Sequence, residues 1–203
     1  MTEVEDLYRP FKQKRKTRAS VAKERGLEPL AELLWEQGTD TELETRAKDY
    51  LSEEVLSVED AVQGAMDILA ERISDDADCR KKLRTLIWQK GMIEAKAADP
   101  EQDSVYTMYY DYTEPVRQIV GHRVLAIDRG EREGFLKVSV KLPEEVAFIL
   151  LKREFVHPKS PLATKMEEVC ADSYSRLIFP SLEREIRNLL TDTACEKAIK
   201  VFS

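Results

Sequence analysis

Glycine and proline are scarce in this sequence, which has seven glycines and eight prolines among its 203 residues. The two residues together make up about 12% of an average protein, so this chain has few of the residues that interrupt helices. It has no periodic repeat and no low-complexity tract, which excludes collagen-like, mucin-like and tandem-repeat architectures. Hydrophobic residues at 42% and charged residues at 35% are typical of a globular, helix-rich protein with one large domain or two small ones.

Cysteine is also scarce, and the three cysteines, Cys79, Cys170 and Cys195, lie far apart without a CxxC pair. An odd, dispersed set argues against a disulfide framework or a zinc knuckle and is typical of a protein in a reducing cytoplasm. The longest apolar run, residues 146–151, is much shorter than a membrane span. The acidic N-terminus lacks the apolar segment of a secretory signal. We therefore expect a soluble cytoplasmic protein with no membrane partner.

Histidine is represented only by His122 and His157, and we interpret both as structural or surface residues. The sequence has no HExxH motif, no GxSxG motif and no Cys–His pair at a known catalytic spacing. The glycines are scattered, so no glycine-rich loop is available to hold a phosphate group. Adjacent Asp75 and Asp76 are explained by the dipole of a helix start. The sequence predicts a non-enzymatic protein with no catalytic residue, no metal and no cofactor.

Apolar residues recur at helical spacing along most of the chain, which predicts a mainly α-helical, multi-helix fold. The predicted helices cover residues 17–25, 27–34, 41–51, 57–73, 74–90, 115–127, 143–155, 160–178 and 180–203. Thr17 and Ser57 are the expected N-caps of two of them, and Gly26 and Gly91 the expected ends. One short β element is predicted at residues 135–142, where apolar and polar residues alternate. The sequence does not identify its strand partner.

The polar segment at residues 99–104 predicts a loop between two helical halves. The N-terminal half covers residues 1–98 and contains a basic segment, and the C-terminal half covers residues 104–203 and contains the β element. The last predicted helix continues to residue 203 without a glycine or proline stop. That pattern indicates that the chain is part of a longer protein.

Four of the seven tyrosines, Tyr106, Tyr109, Tyr110 and Tyr112, lie within seven residues. Aromatic rings beside positive charge would favour base stacking. The charged neighbours here are acidic and would repel phosphate groups. We therefore predict that the tyrosines pack between the two halves, with their hydroxyl groups reaching water or the backbone.

The basic segment, residues 9–25, has eight cationic side chains and one acidic side chain, a net charge of +7. The other 186 residues therefore carry a net charge of −14. Such a segment can bind a nucleic-acid backbone without reading its base sequence. It can equally dock on the acidic remainder of the chain or form a solvated helix face. The charge pattern alone leaves these interpretations open.

Several blocks of the sequence, in order along the chain, resemble one protein family. They are EDLYRPFKQKRKTRA at residues 5–19, GLEPLA at 26–31, DYTEP at 111–115, HRVLAI at 122–127, RGE at 129–131, EGFLKV at 133–138 and the helical ending at 183–202. These blocks resemble the Tex family, the bacterial transcription accessory proteins. The similarity covers residues 5–203 and corresponds to an internal helical part of the family. The YqgF-like, helix-hairpin-helix and C-terminal OB-fold RNA-binding domains of the family have no counterpart in this sequence.

The resemblance implies a role in transcription or RNA metabolism, as the central helical scaffold that positions nucleic-acid-binding domains. Its implied partners are RNA or DNA backbone in the full-length protein, other domains of the same chain, and the transcription machinery. The residues that match the basic signature of the family, and that could contact a nucleic-acid backbone, are Lys12, Lys14, Arg15, Lys16 and Arg18. The alternative is a protein–protein interaction module with no nucleic-acid contact of its own.

Overall fold

A computed structural model describes residues 2–12, 15–39 and 42–202, and it is mainly α-helical, as predicted. The helices are α1 Thr2–Tyr8, α2 Arg18–Glu24, α3 Glu28–Glu36, α4 Leu43–Ala47, α5 Val58–Ser74, α6 Ala77–Lys90, α7 Gly121–Arg132, α8 Glu144–Phe155, α9 Ala163–Asp172 and α10 Phe179–Phe202. The strands are β1 Met92–Ala97, β2 Asp111–Pro115 and β3 Leu136–Lys141. Short 3-10 turns lie at Arg9–Phe11, Lys48–Tyr50 and Thr107–Tyr109, and a π-helical segment, Ser173–Ile178, joins α9 to α10.

The helix boundaries follow from capping residues that are visible in the sequence. Thr17 caps α2 in a reciprocal capping box with Ser20, and Ser57 accepts a hydrogen bond from the backbone N–H of Asp60 at the start of α5. Gly26 follows α2 with a φ of 78°, a left-handed conformation that glycine adopts without a steric penalty. These predicted starts and ends are confirmed.

The β structure is more extensive than the single element predicted. The strand at residues 135–142 is confirmed as β3, but it belongs to a three-stranded antiparallel sheet with the order β2-β1-β3. In the central strand, Ala95 pairs with Tyr112 on one side and with Val138 on the other. The prediction that Pro115 opens a helix is wrong, because Pro115 ends β2 and α7 begins at Gly121. Proline at the end of an edge strand needs no ladder hydrogen bond.

The chain divides into two compact units, each made of two separate stretches. The first unit comprises Met1–Lys81 and Glu145–Phe179, and the second comprises Lys82–Glu144 and Pro180–Ser203. The loop at residues 99–104 lies inside Lys82–Glu144, a stretch of the second unit. The division into halves at that loop stays a prediction about domain organisation.

Helix α5 forms the centre of the first unit and contacts α2, α3, α4 and α9. Its inward face is buried through Ala61, Ala65, Leu69 and Ile73, none of which is exposed. Gly64 lies on the same helix, where a Cβ atom would come within 2.3 Å of Leu27 Cδ1. The small and apolar residues on this face of α5 therefore let several short helices pack closely around it.

The second unit has its own core, built where α7 packs on the sheet. Its buried members are Ala95, Tyr106, Tyr109, Ile127 and Leu136. The outer edge of β3 is closed by side chains of α10, because the backbone N–H of Val140 donates to Glu183 Oε1 at 2.7 Å. A capped edge cannot pair with a further strand at that point. Among the residues described, no helix is long and apolar enough to cross a bilayer.

Candidate nucleic-acid interface

The structure places most of the basic segment on the surface of the first unit. Lys12 follows the Arg9–Phe11 turn, Arg15 and Lys16 lead into α2, and Arg18 is its first residue. All four side chains are exposed. Lys14, the fifth predicted contact residue, lies outside the described residues. Within the described ranges, none of the four exposed cations has a carboxylate within 4.0 Å.

The two ends of the basic segment are docked on acidic residues of the same unit. Arg9 Nε lies 3.2 Å from Asp75 Oδ1, and the Arg25 guanidinium donates to Asp60. Both arginines are partly buried, so their charge is neutralised locally. The two ends of the basic segment are therefore docked on acidic residues of the chain, as one of the interpretations proposed. Lys12, Arg15 and Lys16, which lie between these ends, are exposed to solvent.

Acidic side chains lie close to the exposed cations and shape the local potential. Lys12 and Lys23 line a groove of about 690 Å³ together with Asp6, Glu71 and Asp75. A second groove, of about 390 Å³, is lined by Lys16, Arg18, Arg25, Asp60 and Asp67. Cationic and acidic side chains therefore lie side by side in the lining of both grooves. A phosphate chain that entered either groove would meet carboxylates as well as cations.

The four clustered tyrosines pack in or against the apolar core of the second unit. Tyr106 and Tyr109 are buried in a cluster with Ala95, Ile127 and Leu136, and their packing between the two predicted halves stays a prediction. The Tyr106 hydroxyl donates to Glu133 Oε2 at 2.7 Å, and the Tyr110 hydroxyl donates to the backbone carbonyl of Gln102. Burial and the hydrogen bond to Glu133 raise the pKa of Tyr106. The Tyr110 hydroxyl thus reaches the backbone as expected, whereas the Tyr106 hydroxyl donates to a carboxylate instead.

A cluster of Tyr112, Glu114 and Arg123 was not anticipated from the sequence. The Tyr112 hydroxyl donates to Glu114, and Arg123 Nη1 lies 3.1 Å from Glu114 Oε1 and 3.3 Å from the Tyr112 hydroxyl oxygen. Burial, followed by the hydrogen bond to Glu114, raises the pKa of Tyr112. Positions 112 and 114 share a face only because residues 111–115 form a strand, and that strand was not predicted.

The histidine and cysteine side chains differ in their exposure to solvent. His122 and His157 are both exposed, which agrees with their interpretation as structural or surface residues. Cys79 and Cys170 are buried and Cys195 is exposed. Burial raises the pKa of Cys170 to about 12, whereas a nucleophilic thiol needs a lowered pKa. In the part of the chain that the structure describes, no three His, Cys, Asp or Glu side chains are grouped to hold a metal ion.

Comparison with known proteins identifies the chain. A family described as Tex central region-like matches residues 39–202. The chain belongs to the Tex family. The match includes parts of both compact units, and residues 1–38, with the basic segment at residues 9–25, precede it. The resemblance inferred from the sequence blocks is confirmed.

Curated relatives in the Tex family align with essentially the whole chain. The Bacillus subtilis protein YdcI is 45% identical over 209 residues, covering 100% of this chain and 29% of its own length. The Neisseria gonorrhoeae transcriptional accessory protein Tex is 34% identical over 214 residues, covering 100% of this chain and 28% of its own length. The human S1 RNA-binding domain-containing protein 1 is 27% identical over 221 residues, covering 98% of this chain and 22% of its own length. This chain therefore spans less than a third of each of these Tex-family relatives.

Proposed function

We propose that this chain is the non-enzymatic helical scaffold of a longer Tex-family factor in transcription or RNA metabolism. In that factor it positions nucleic-acid-binding domains and contacts the nucleic-acid backbone through its basic segment. The scaffold role is supported by two compact units with separate apolar cores. Such units can present neighbouring domains without contributing chemistry of their own.

The observation that carries the backbone contact is the exposure of Lys12, Arg15, Lys16 and Arg18 without acidic partners among the described residues. Arginine and lysine side chains that are free of internal ion pairs can replace the counterions of a phosphate backbone. The carboxylates that share the two grooves with these cations disfavour deep insertion of a phosphate chain. Contact of this kind would be sensitive to salt and insensitive to base sequence.

The proposed absence of catalysis is supported by the environment of the groups most often used as nucleophiles and bases. Both histidines are exposed and lie outside any cavity described above. The raised pKa of Cys170, about 12, keeps its thiol protonated at neutral pH.

Fluorescence anisotropy tests the backbone contact. The full chain is titrated with labelled single-stranded RNA, single-stranded DNA and duplex DNA at 50 and 200 mM salt. If about four phosphates are contacted, the fourfold rise in salt weakens duplex binding about 150-fold and single-strand binding about 50-fold. A variant with Lys12, Lys14, Arg15, Lys16 and Arg18 changed to alanine should lose this binding.

A matched control variant separates the segment from the overall charge of the protein. It removes five exposed cations elsewhere in the chain, namely Arg46, Lys48, Lys90, Lys137 and Lys159. The control should bind as the unmodified chain does, because its substitutions lower the net charge equally without touching the segment. Equal loss in both variants would contradict a localised site. Absence of binding at 50 mM salt, with the chain folded by circular dichroism, would contradict the backbone contact altogether.

A second candidate function is a protein–protein interaction module with no nucleic-acid contact of its own. The observation that favours it is the set of large apolar side chains exposed on α1 and the turn that follows. This candidate predicts no salt-dependent nucleic-acid binding by any variant of the chain.

A further inference from the structure

Helix α1 attaches to the first unit through charged side chains instead of an apolar face. Three positions on one side of it form ion pairs with the segment around α6. Glu3 lies 2.8 Å from Lys81, Asp6 lies 3.2 Å from Arg80, and Arg9 in the following turn lies 3.2 Å from Asp75. Side-chain exposure in the central pair is only 5% for Asp6 and 0% for Arg80. The inward face of this short helix is thus its polar face.

Large apolar side chains are exposed on the outside of α1 and of the turn that follows it, and we call this set the α1 stripe. Val4, Leu7 and Tyr8 recur at the spacing of one face of α1, and Phe11 is the last residue of the 3-10 turn that follows. Their exposed fractions are 70%, 67%, 63% and 79%. A surface helix ordinarily buries such a stripe and exposes its charges. The inverted arrangement, with the Asp6–Arg80 pair buried and large apolar groups in solvent, is typical of a helix that makes a second contact elsewhere.

We propose that this α1 stripe is a docking surface for an apolar face in the flanking part of the longer Tex-family protein. The inference rests on the scaffold role in the proposed function and names the surface through which a neighbouring domain is positioned. The chain spans 29% of the length of YdcI and 28% of the length of the gonococcal Tex protein. More than two thirds of each relative is therefore available to supply the partner face.

The size of the stripe distinguishes this occupant from a second copy of the chain. A stable complex between separate proteins buries about 800 Å² on each partner, which requires far more than four side chains. A domain on the same polypeptide needs less contact area, because the connecting chain holds it at a high effective concentration. The stripe alone is therefore large enough for a tethered partner, whereas a freely diffusing protein would need further contact area beyond it.

Thiol labelling tests the docking. The exposed Cys195 is first changed to serine, and a single cysteine is then introduced by Leu7→Cys or Phe11→Cys. Each variant is prepared as the full 203-residue chain and as a chimera in which this chain replaces the matching 209 residues of YdcI. Controls carry Leu56→Cys or Val105→Cys, since these side chains are 81% and 85% exposed and lie outside the stripe.

In the isolated chain, all four introduced thiols should react quickly with a maleimide. In the chimera, Leu7→Cys and Phe11→Cys should react at least about tenfold more slowly, because a covered thiol is inaccessible to the reagent. The Leu56→Cys and Val105→Cys controls should keep their rates. Unchanged rates at the stripe in the folded chimera would overturn the proposal, as would equal protection of the controls.

Two further readouts exclude the alternative occupants. Protection of the stripe in the isolated chain that increases with protein concentration would assign it to self-association and overturn the tethered partner. The double variant Leu7→Glu with Phe11→Glu should lower the Tm of the chimera without changing that of the isolated chain, because both side chains are already solvated there.

The labelling result is independent of the anisotropy result. Protection of the stripe without nucleic-acid binding would leave the docking intact and remove the backbone contact from the proposed function. Nucleic-acid binding by the chain without protection in the chimera would do the reverse.

Discussion

Asp6 shows how a residue can look solvated in the sequence and be fully internal in the fold. It belongs to an acidic stretch, residues 1–8, which reads as an exposed N-terminus. In the structure it is 4% exposed and pairs with Arg80, whose side chain also donates to the Ser74 carbonyl at 3.1 Å. Only the tertiary contact between α1 and α6 distinguishes Asp6 from Glu5, which is exposed.

Asp6→Ala should lower the free energy of unfolding by about 3–5 kcal/mol, because it removes a carboxylate that lies 3.2 Å from the fully buried Arg80 guanidinium. Urea denaturation followed by circular dichroism measures this change. Glu3→Ala is the matched control, since its partner Lys81 is 61% exposed and solvent screens the pair. An Asp6→Ala midpoint equal to that of Glu3→Ala would show that the buried pair contributes nothing to stability.

Cys170 makes stability depend on pH in the alkaline range. Burial raises the pKa of its thiol to about 12, so the native state keeps a proton that the unfolded chain releases from about pH 9 upward. Stability contributed by this group is complete below pH 9 and is lost as the pH rises toward 12. Between pH 8 and 10.5, the unmodified chain should therefore lose about 2 kcal/mol more unfolding free energy than Cys170→Ala.

The comparison with Cys170→Ala cancels the contributions of other alkaline groups, including Tyr106 and Tyr112. Cys195→Ala should follow the unmodified chain at every pH, because Cys195 is exposed. Urea titrations at a series of pH values supply the data. Parallel pH curves for the unmodified chain and Cys170→Ala would contradict the effect.

Among the elements, α2 depends on its N-cap more than a longer helix would. It has seven residues, too few to be stable alone in water. Thr17 Oγ1 accepts from the Ser20 backbone at 3.1 Å and donates to Glu71 Oε2 of α5 at 2.9 Å. One hydroxyl group therefore both starts the helix and attaches it to the central helix of the first unit.

Thr17→Ala should lower the free energy of unfolding by about 1 kcal/mol, within the 0.5–2 kcal/mol usual for a lost cap. Thr17→Ser retains the hydroxyl and should restore most of that loss. Thermal unfolding of the two variants, compared with the unmodified chain, provides the measurement. If Thr17→Ser were as unstable as Thr17→Ala, the methyl group and not the cap would be responsible.

Most of the helices were predictable from local sequence, whereas two of the three strands were not, for a physical reason. Caps such as Thr17 and Ser57 act within four residues of the helix they start. Strand β1 is stabilised by pairing with β2, 15 to 23 positions away, and with β3, 39 to 49 positions away. Strand β2, with the sequence DYTEP, lacks the alternating β-branched residues that mark a strand. Strand β2 forms by pairing with β1, and β1 has only 6 residues, so neither strand gives a strong local signal.

At the level of the whole molecule, the site was visible in the sequence as a charge imbalance but not as a surface. The excess of cations at residues 9–25 could be counted directly. Which of them are neutralised depends on Asp60 and Asp75, acids that are distant in sequence and adjacent in space. The same contacts separate the docked Arg9 and Arg25 from the exposed residues between them. Tertiary structure therefore reduces eight candidate cations to a smaller exposed group.

The distribution of charge and aromatic rings across the molecule leads to a last prediction, that nucleic-acid binding is independent of base sequence. The exposed cations can contact phosphates, whereas the clustered tyrosines pack and hydrogen-bond within the second unit. Base stacking on aromatic rings contributes about 1–3 kcal/mol per base. Without it, Kd values for poly(U), poly(A) and mixed RNA of equal length should agree within about threefold at 50 mM salt.

Anisotropy titrations with the three RNAs measure this directly. The net charge of −14 outside residues 9–25 repels every RNA equally, so it weakens binding without creating a preference. The five-alanine variant of the basic segment provides the baseline for each RNA. A preference above about tenfold, corresponding to about 1.4 kcal/mol, would require contacts to bases in addition to the phosphate contacts of Lys12, Arg15, Lys16 and Arg18.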